Sequence, residues 1–164
     1  ELIRAFTLFK ERTKLPHRLV LCGSDGDYSE EIHRAAARSV VASDIFLTGF
    51  FPHESFPQLY AGADACIFPS VNEGVGLPVI EAMATGIPVA CSNGGALPEI
   101  GGPSPLYFDA DNIDEIELAM ERLVLDTALR SSMIAAGIKW AAQYNWEKTV
   151  LRTIEVLRAT AAAV

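Results

Sequence analysis

The sequence predicts an α/β fold: a parallel sheet with helices on both faces, followed by a run of helices. Three features predict it. Short apolar runs alternate with stretches whose apolar residues recur at helical spacing. One such run, residues 65–69, leads through a glycine-containing loop into a helix with proline at its start. From residue 112 onward only helical patterns remain. A chain of 164 residues is long enough to bury a core without disulfides or a metal, so 1–164 reads as a single domain.

In chain order, Leu2, Ile3, Ala5, Phe6, Leu8 and Phe9 line one face of a first helix, with Arg4, Lys10, Glu11 and Arg12 on the other. Residues 18–22 form a strand, and Gly23-Ser24-Asp25-Gly26-Asp27 is the loop at its carboxyl end. Ser29-Glu30-Glu31 then opens a second helix, expected over 29–41. Strand 45–48 follows, then Gly49-Phe50-Phe51-Pro52 and a helix over 54–63. Further strands are expected at 65–69, 88–91 and 106–108, with a helix at 77–84 between the first two. Strands alternating with helices in this way imply parallel pairing. Breaks in the terminal helical run fall near Asp126 and at Tyr144-Asn145, where Asn145 is placed to cap the last helix. The alanine-rich stretch 159–163 reads as a frayed helix end.

Composition excludes several classes of function. The net charge is −8 and no run is basic, which argues against nucleic acid as a partner. Every apolar stretch is short and interrupted by glycine, proline or charge, so none is suited to spanning a bilayer, and nothing supports docking on anionic lipid. Cys22, Cys66 and Cys91 lie in or beside predicted buried strands, and an odd count without metal-ligand spacing reads as reduced core thiols in a cytoplasmic protein. Asp25-x-Asp27 and Asp109-x-Asp111 read as turn and helix-cap chemistry, not metal ligands. His17, His33 and His53 are scattered and receive no catalytic role, and Trp140 and Trp146 read as packing residues.

The chemistry centres on residues 70–84. Gly74 and Gly76 bracket Val75 and let the backbone come close to a ligand, and the helix that follows offers unpaired N–H groups and the positive end of its dipole. That geometry suits a phosphate. Glu73 stands at the mouth of the loop and Glu81 lies eight positions on, in the first turns of the helix. Carboxylates accept hydrogen bonds from hydroxyls, so a sugar nucleotide fits. Each acid also has a plainer reading, Glu73 as a solvated loop residue and Glu81 as an acid favoured by the helix dipole. Gly94-Gly95 lies at another strand's carboxyl end, where it serves either a ligand or a simple turn.

Glu73-Gly74-x-Gly76-Leu77-Pro78 with Glu81, then Ala82-Met83-Ala84-x-Gly86-x-Pro88-Val89, resembles the donor-site signature of the retaining GT-B glycosyltransferases of family 4 (group 1). The likeness extends from the Leu2-Ile3-x-Ala5-Phe6 helix through Gly94-x-x-Leu97-Pro98-Glu99-Ile100 to Tyr144-Asn145-Trp146-Glu147. It implies a Rossmann-like sheet forming the C-terminal, donor-binding half of a two-domain enzyme. It also implies retaining transfer of a sugar from a UDP-, GDP- or ADP-sugar to an acceptor hydroxyl, with no cofactor and no metal.

By the same resemblance Glu73 is the catalytic residue and holds hydroxyls of the transferred sugar. Gly74, Val75, Gly76 and Leu77 offer backbone N–H to the phosphate, and Glu81 contacts the ribose. Read from the residues themselves, Gly49-Phe50-Phe51 can hold the base edge through backbone groups and an apolar wall made by Phe50 and Phe51, with two core aromatics beside a turn as the competing reading. Glu99 matches a family position whose role is to order its loop. The acceptor, a sugar, lipid or other hydroxyl compound, is expected on an N-terminal domain that these residues do not include. Nor do they include the strand and loop, before the helix starting at Glu1, that carry an Arg and a Lys for the pyrophosphate. The fragment alone is therefore expected to be inactive. Two other readings stay open: a non-catalytic sugar-nucleotide-binding or scaffolding module, and another GT-B enzyme such as an epimerase.

Overall fold

In the computed structural model, which describes residues 1–162, helices α1 (Leu2–Thr13) and α2 (Ser29–Arg38) flank strand β1 (Leu19–Cys22) in the chain. Strand β2 (Ile45–Gly49), helix α3 (Phe56–Ala61), strand β3 (Cys66–Phe68), helix α4 (Leu77–Ala84) and strand β4 (Val89–Ser92) continue the alternation. Helix α5 (Leu97–Gly101), strand β5 (Leu106–Phe108) and helices α6 (Ile113–Leu125), α7 (Thr127–Ala141) and α8 (Trp146–Ala162) complete it.

Three elements depart from the sequence expectation. Helix α2 stops at Arg38 instead of 41, because Ser39 is extended and its hydroxyl accepts from Val41 N–H at 3.2 Å, competing with the helical pattern before two valines. A 3-10 turn over His53–Ser55 precedes α3, which begins at Phe56 and not at 54. The third, α5, has only five residues and carries no periodic signal long enough to read. The caps agree. Asn112 Oδ1 accepts from the N–H groups of Asp114 and Glu115 at 3.1 and 3.2 Å, and Asn145 Oδ1 accepts from Lys148 N–H at 2.9 Å.

All strand pairs are parallel, and they fall into two sheets, β1-β2 and β3-β4-β5. Among the described residues no strand pair joins the two sheets. Both faces of β4 are buried, and its period of two sorts the side chains. Ala90 joins a core with Phe6 and Phe9 of α1 and Ile116, Met120 and Leu123 of α6. Val89 and Cys91 face the opposite core, with Tyr60 of α3 and Val79, Ile80 and Met83 of α4. The result is helices on both faces of a parallel sheet.

Between α1 and α6 lies a buried carboxylate, Glu117, only 1% exposed. Its Oε2 accepts from Arg12 Nη1 at 2.5 Å, while Oε1 has no hydrogen-bond partner among the described residues. Burial raises the Glu117 pKa above the usual carboxylate value, opposed by the Arg12 guanidinium. The native state therefore holds this proton at pH values where the unfolded chain has released it, and stability drains away as pH rises through that interval. Glu117→Gln keeps a partner for Arg12 without the titration. The melting temperature of the wild type minus that of Glu117→Gln should fall as pH is raised from about 4.5, the ordinary carboxylate value, towards neutrality; a constant difference would contradict it. Arg12→Ala, which strands the buried charge, should cost about 2 kcal/mol at neutral pH.

Helix α8 buries no residue, and Trp146, Val150, Leu151, Ile154, Val156 and Leu157 are all exposed. Trp146, expected to pack, is 78% exposed, so the packing role falls to Trp140 alone. Ala159 to Ala162 continue α8, and residue 163 of the alanine-rich stretch lies outside the described residues. Among the described residues no helix is long and apolar enough to cross a membrane.

Candidate functional site

The loop 69–76 joins the carboxyl end of β3 to the amino end of α4. Gly76 occupies the N-cap position in the left-handed region, φ 79°, and its carbonyl accepts from Val79 N–H at 3.0 Å. Only glycine holds that turn cheaply, and Leu97 of α5 fills the space a side chain would need. Pro78 is the second residue of α4, where its missing N–H is no loss. Among the described residues, the N–H groups of Gly74, Val75, Gly76 and Leu77 donate to no protein acceptor. Four donors at a helix start, with Val75 and Leu77 about half exposed, leave an open surface for an anion.

Glu73 is half-buried on this loop, and Glu81 lies at the fifth residue of α4, half-buried as well. Glu81 lines a cavity of about 240 Å³ together with His53, Phe56, Tyr60 and Thr85. Glu73 is not part of that lining. Burial, then the neighbouring Cys66 thiol and the Glu81 carboxylate, raise the Tyr60 pKa, so its phenol remains a neutral donor beside Glu81. Phe51 packs edge-on against Phe56 at 5.5 Å between ring centroids, and Phe56 stacks in turn near Tyr60 at 5.9 Å. An aromatic row thus runs from the end of β2 to Glu81. Phe50 takes no part in it and is 75% exposed.

Sequence reasoning gave His53 no role and passed over Phe56, Tyr60 and Thr85. The i, i+4 spacing of Phe56 and Tyr60 was the available signal, and it reads equally well as core packing. Of the other groups weighed, Asp25 pairs with His33 at 3.2 Å, and Asp109 accepts from Asp111 N–H at 3.0 Å within its turn. No group of three or more His, Cys, Asp or Glu among the described residues is placed to hold a metal ion. Cys22 is exposed, not core, while burial pushes the Cys66 and Cys91 thiols up to about 12. Glu99 is exposed in the first turn of α5.

A family model described as "Glycosyl transferases group 1" matches residues 1–140. The chain is 33% identical over 157 residues to O-antigen chain mannosyltransferase B of Escherichia coli, covering 96% of this chain and 41% of that protein. It is 31% identical over 166 residues to the GDP-mannose-dependent alpha-(1-6)-phosphatidylinositol monomannoside mannosyltransferase of Mycolicibacterium smegmatis, covering 95% of this chain and 43% of that one. It therefore spans about two fifths of the length of these relatives. Among solved structures, sucrose-phosphate synthase from Thermosynechococcus elongatus superposes with a TM-score of 0.85 at 27% identity, over 99% of this chain and 43% of that one.

Proposed function

Since the chain belongs to the group 1 glycosyl transferases, we propose that it binds the nucleotide-diphosphate sugar in an enzyme that moves the sugar, with retention, to an acceptor hydroxyl. The observation that carries the proposal is the glycine loop: four undonated N–H groups at the start of α4, with Glu73 in the loop before them and Glu81 in the helix after. In transfer, negative charge develops on the leaving diphosphate. Preorganised N–H groups and a helix amino end stabilise that charge without reorganising. Glu73 takes hydroxyls of the sugar, and Glu81, held beside the Tyr60 phenol, takes those of the ribose. Phe50, free at the end of β2, is the better placed of the two phenylalanines to meet a base, and Phe51 supports the cavity wall.

The names of the relatives favour mannosyl transfer, with GDP-mannose as the first donor to try. The acceptor site belongs to chain beyond these residues. No cofactor or metal is assigned, and the three unpaired thiols accord with the cytoplasm as the place of action.

Calorimetric titration of GDP-mannose, UDP-glucose and ADP-glucose into this chain tests the reading. The expected result is binding of one donor at about millimolar affinity, lost in Glu81→Ala, and no transfer. Transfer by these 164 residues alone, or binding indifferent to Glu81, would overturn it.

A further inference from the structure

The loop between β4 and α5 touches residues 70–73 of the glycine loop. Ser92, fully buried, donates through Oγ to the Ser70 carbonyl and accepts from Gly94 N–H at 3.3 Å. Ala96 N–H donates to the Glu73 carbonyl at 3.0 Å. Gly94 lies so close to the Val71 carbonyl that no side chain fits between them. A Cβ on Gly95 would stand 2.6 Å from both the N and the O of Glu73 and 2.8 Å from Asn72 Oδ1. The first two are backbone atoms and have no rotamer by which to move aside. Gly95 also sits at φ +56°, where a side chain is strained regardless of space. Beneath, Leu97 occupies the room below Gly76. The two readings left open for Gly94-Gly95, ligand contact and simple turn, both miss this. The pair packs on backbone, and the backbone it packs on is that of Glu73.

We propose that Gly95 is a positioning residue for sugar transfer: its bare Cα sets the height at which the Glu73 main chain, and so its carboxylate, faces the donor. The inference rests on the donor-site reading of Glu73. A rigid seat is needed because the carboxylate is carried by a loop and not by a helix or strand, and loops hold geometry only as well as their supports do. Displacing a positioned group by about 1 Å costs up to about a hundredfold in rate. The seat has two further ties, the Ala96 N–H on the Glu73 carbonyl and the Ser92 hydroxyl on the Ser70 carbonyl.

The test is donor kinetics of Gly95→Ala in the intact enzyme, with Gly86→Ala as the reference. Gly86 has φ +80°, and a methyl group there would meet only ordinary contacts of 3.5 Å or longer, so alanine adds backbone strain far from the glycine loop. Both variants should lose melting temperature. Only Gly95→Ala should lower kcat/KM for the donor, by about tenfold to a hundredfold, and Ser92→Ala should lower it less, in the same direction. Equal kcat/KM for Gly95→Ala and Gly86→Ala would overturn the proposal. Should Gly95→Ala fail to fold, Ser92→Ala with unchanged kcat/KM overturns it instead. Glu73→Ala separates the two levels of inference: if that variant transfers normally, the donor-site reading fails, whereas if it is inactive while Gly95→Ala is normal, only the seat fails.

Discussion

Alanine at Glu73 is expected to lower sugar transfer by the intact enzyme about 10²- to 10³-fold, the range found when one preorganised electrostatic contact is removed from an active site. The melting temperature should stay where it is. Glu73 is half-buried on a loop and its carboxylate has no hydrogen bond or ion pair among the described residues, so folding draws little from it. Its main chain is held independently, by Ala96 N–H and by the close approach of Gly95, so the N–H groups of Gly74 to Leu77 stay in place when the side chain is cut back. The substitution thus removes one contact and leaves the phosphate cradle intact. Initial rates with a radiolabelled donor, alongside thermal melts, measure both. The rival readings give different results. A scaffolding module has no transfer to lose, and an epimerase would release altered sugar nucleotide instead of a glycoside. Wild-type transfer by Glu73→Ala would refute the assignment.

Much of the fold was legible because its elements carry strong local signals. α4 and β5 have the expected bounds, since Pro78 fixes the helix start and Phe108 ends an isolated apolar run between proline and aspartate. Asn112, Asp126 and Asn145 mark helix ends, and each side chain accepts a hydrogen bond from the helix it opens. What could not be read depends on neighbours distant in sequence. The division into two sheets is a matter of which strand edges find partners, and nothing inside β1 or β3 announces it. Trp140 and Trp146 are chemically the same residue in neighbouring helices; one is anchored by its indole N–H on the Ile100 carbonyl at 2.7 Å and the other lies in solvent. At the site, Glu73, Glu81 and the glycines stand out through spacing, whereas Tyr60 reaches Glu81 only because the chain folds α3 beside α4. The role of Gly95 is hidden for the same reason, since a sequence shows that a glycine is present but not what its missing side chain would strike.

The same logic predicts a large loss of stability at a glycine outside the site. Gly102 follows α5 with φ 58° and ψ −138°, a region open only to glycine. An added Cβ would enter the ring of Trp140, and that ring is rigid and pinned by the Ile100 hydrogen bond. Tyr107 donates to the Gly102 carbonyl at 2.7 Å, so the peptide cannot rotate away without breaking a second tie. Backbone strain and overpacking each cost a few kcal/mol, so Gly102→Ala should lose about 4 kcal/mol, or about 10 °C of melting temperature for a domain of this size. Gly26→Ala is the control, because its Cβ would meet nothing within 4 Å and its φ is not in the left-handed region. The damage should also travel. α5 carries Leu97, which fills the space under Gly76, so loosening the Trp140 end of α5 removes the floor of the glycine loop. Calorimetry on Gly102→Ala at a temperature where it remains folded should therefore show weaker donor binding than Gly26→Ala. Equal melting temperatures for the two variants would mean that Trp140 does not pin this turn.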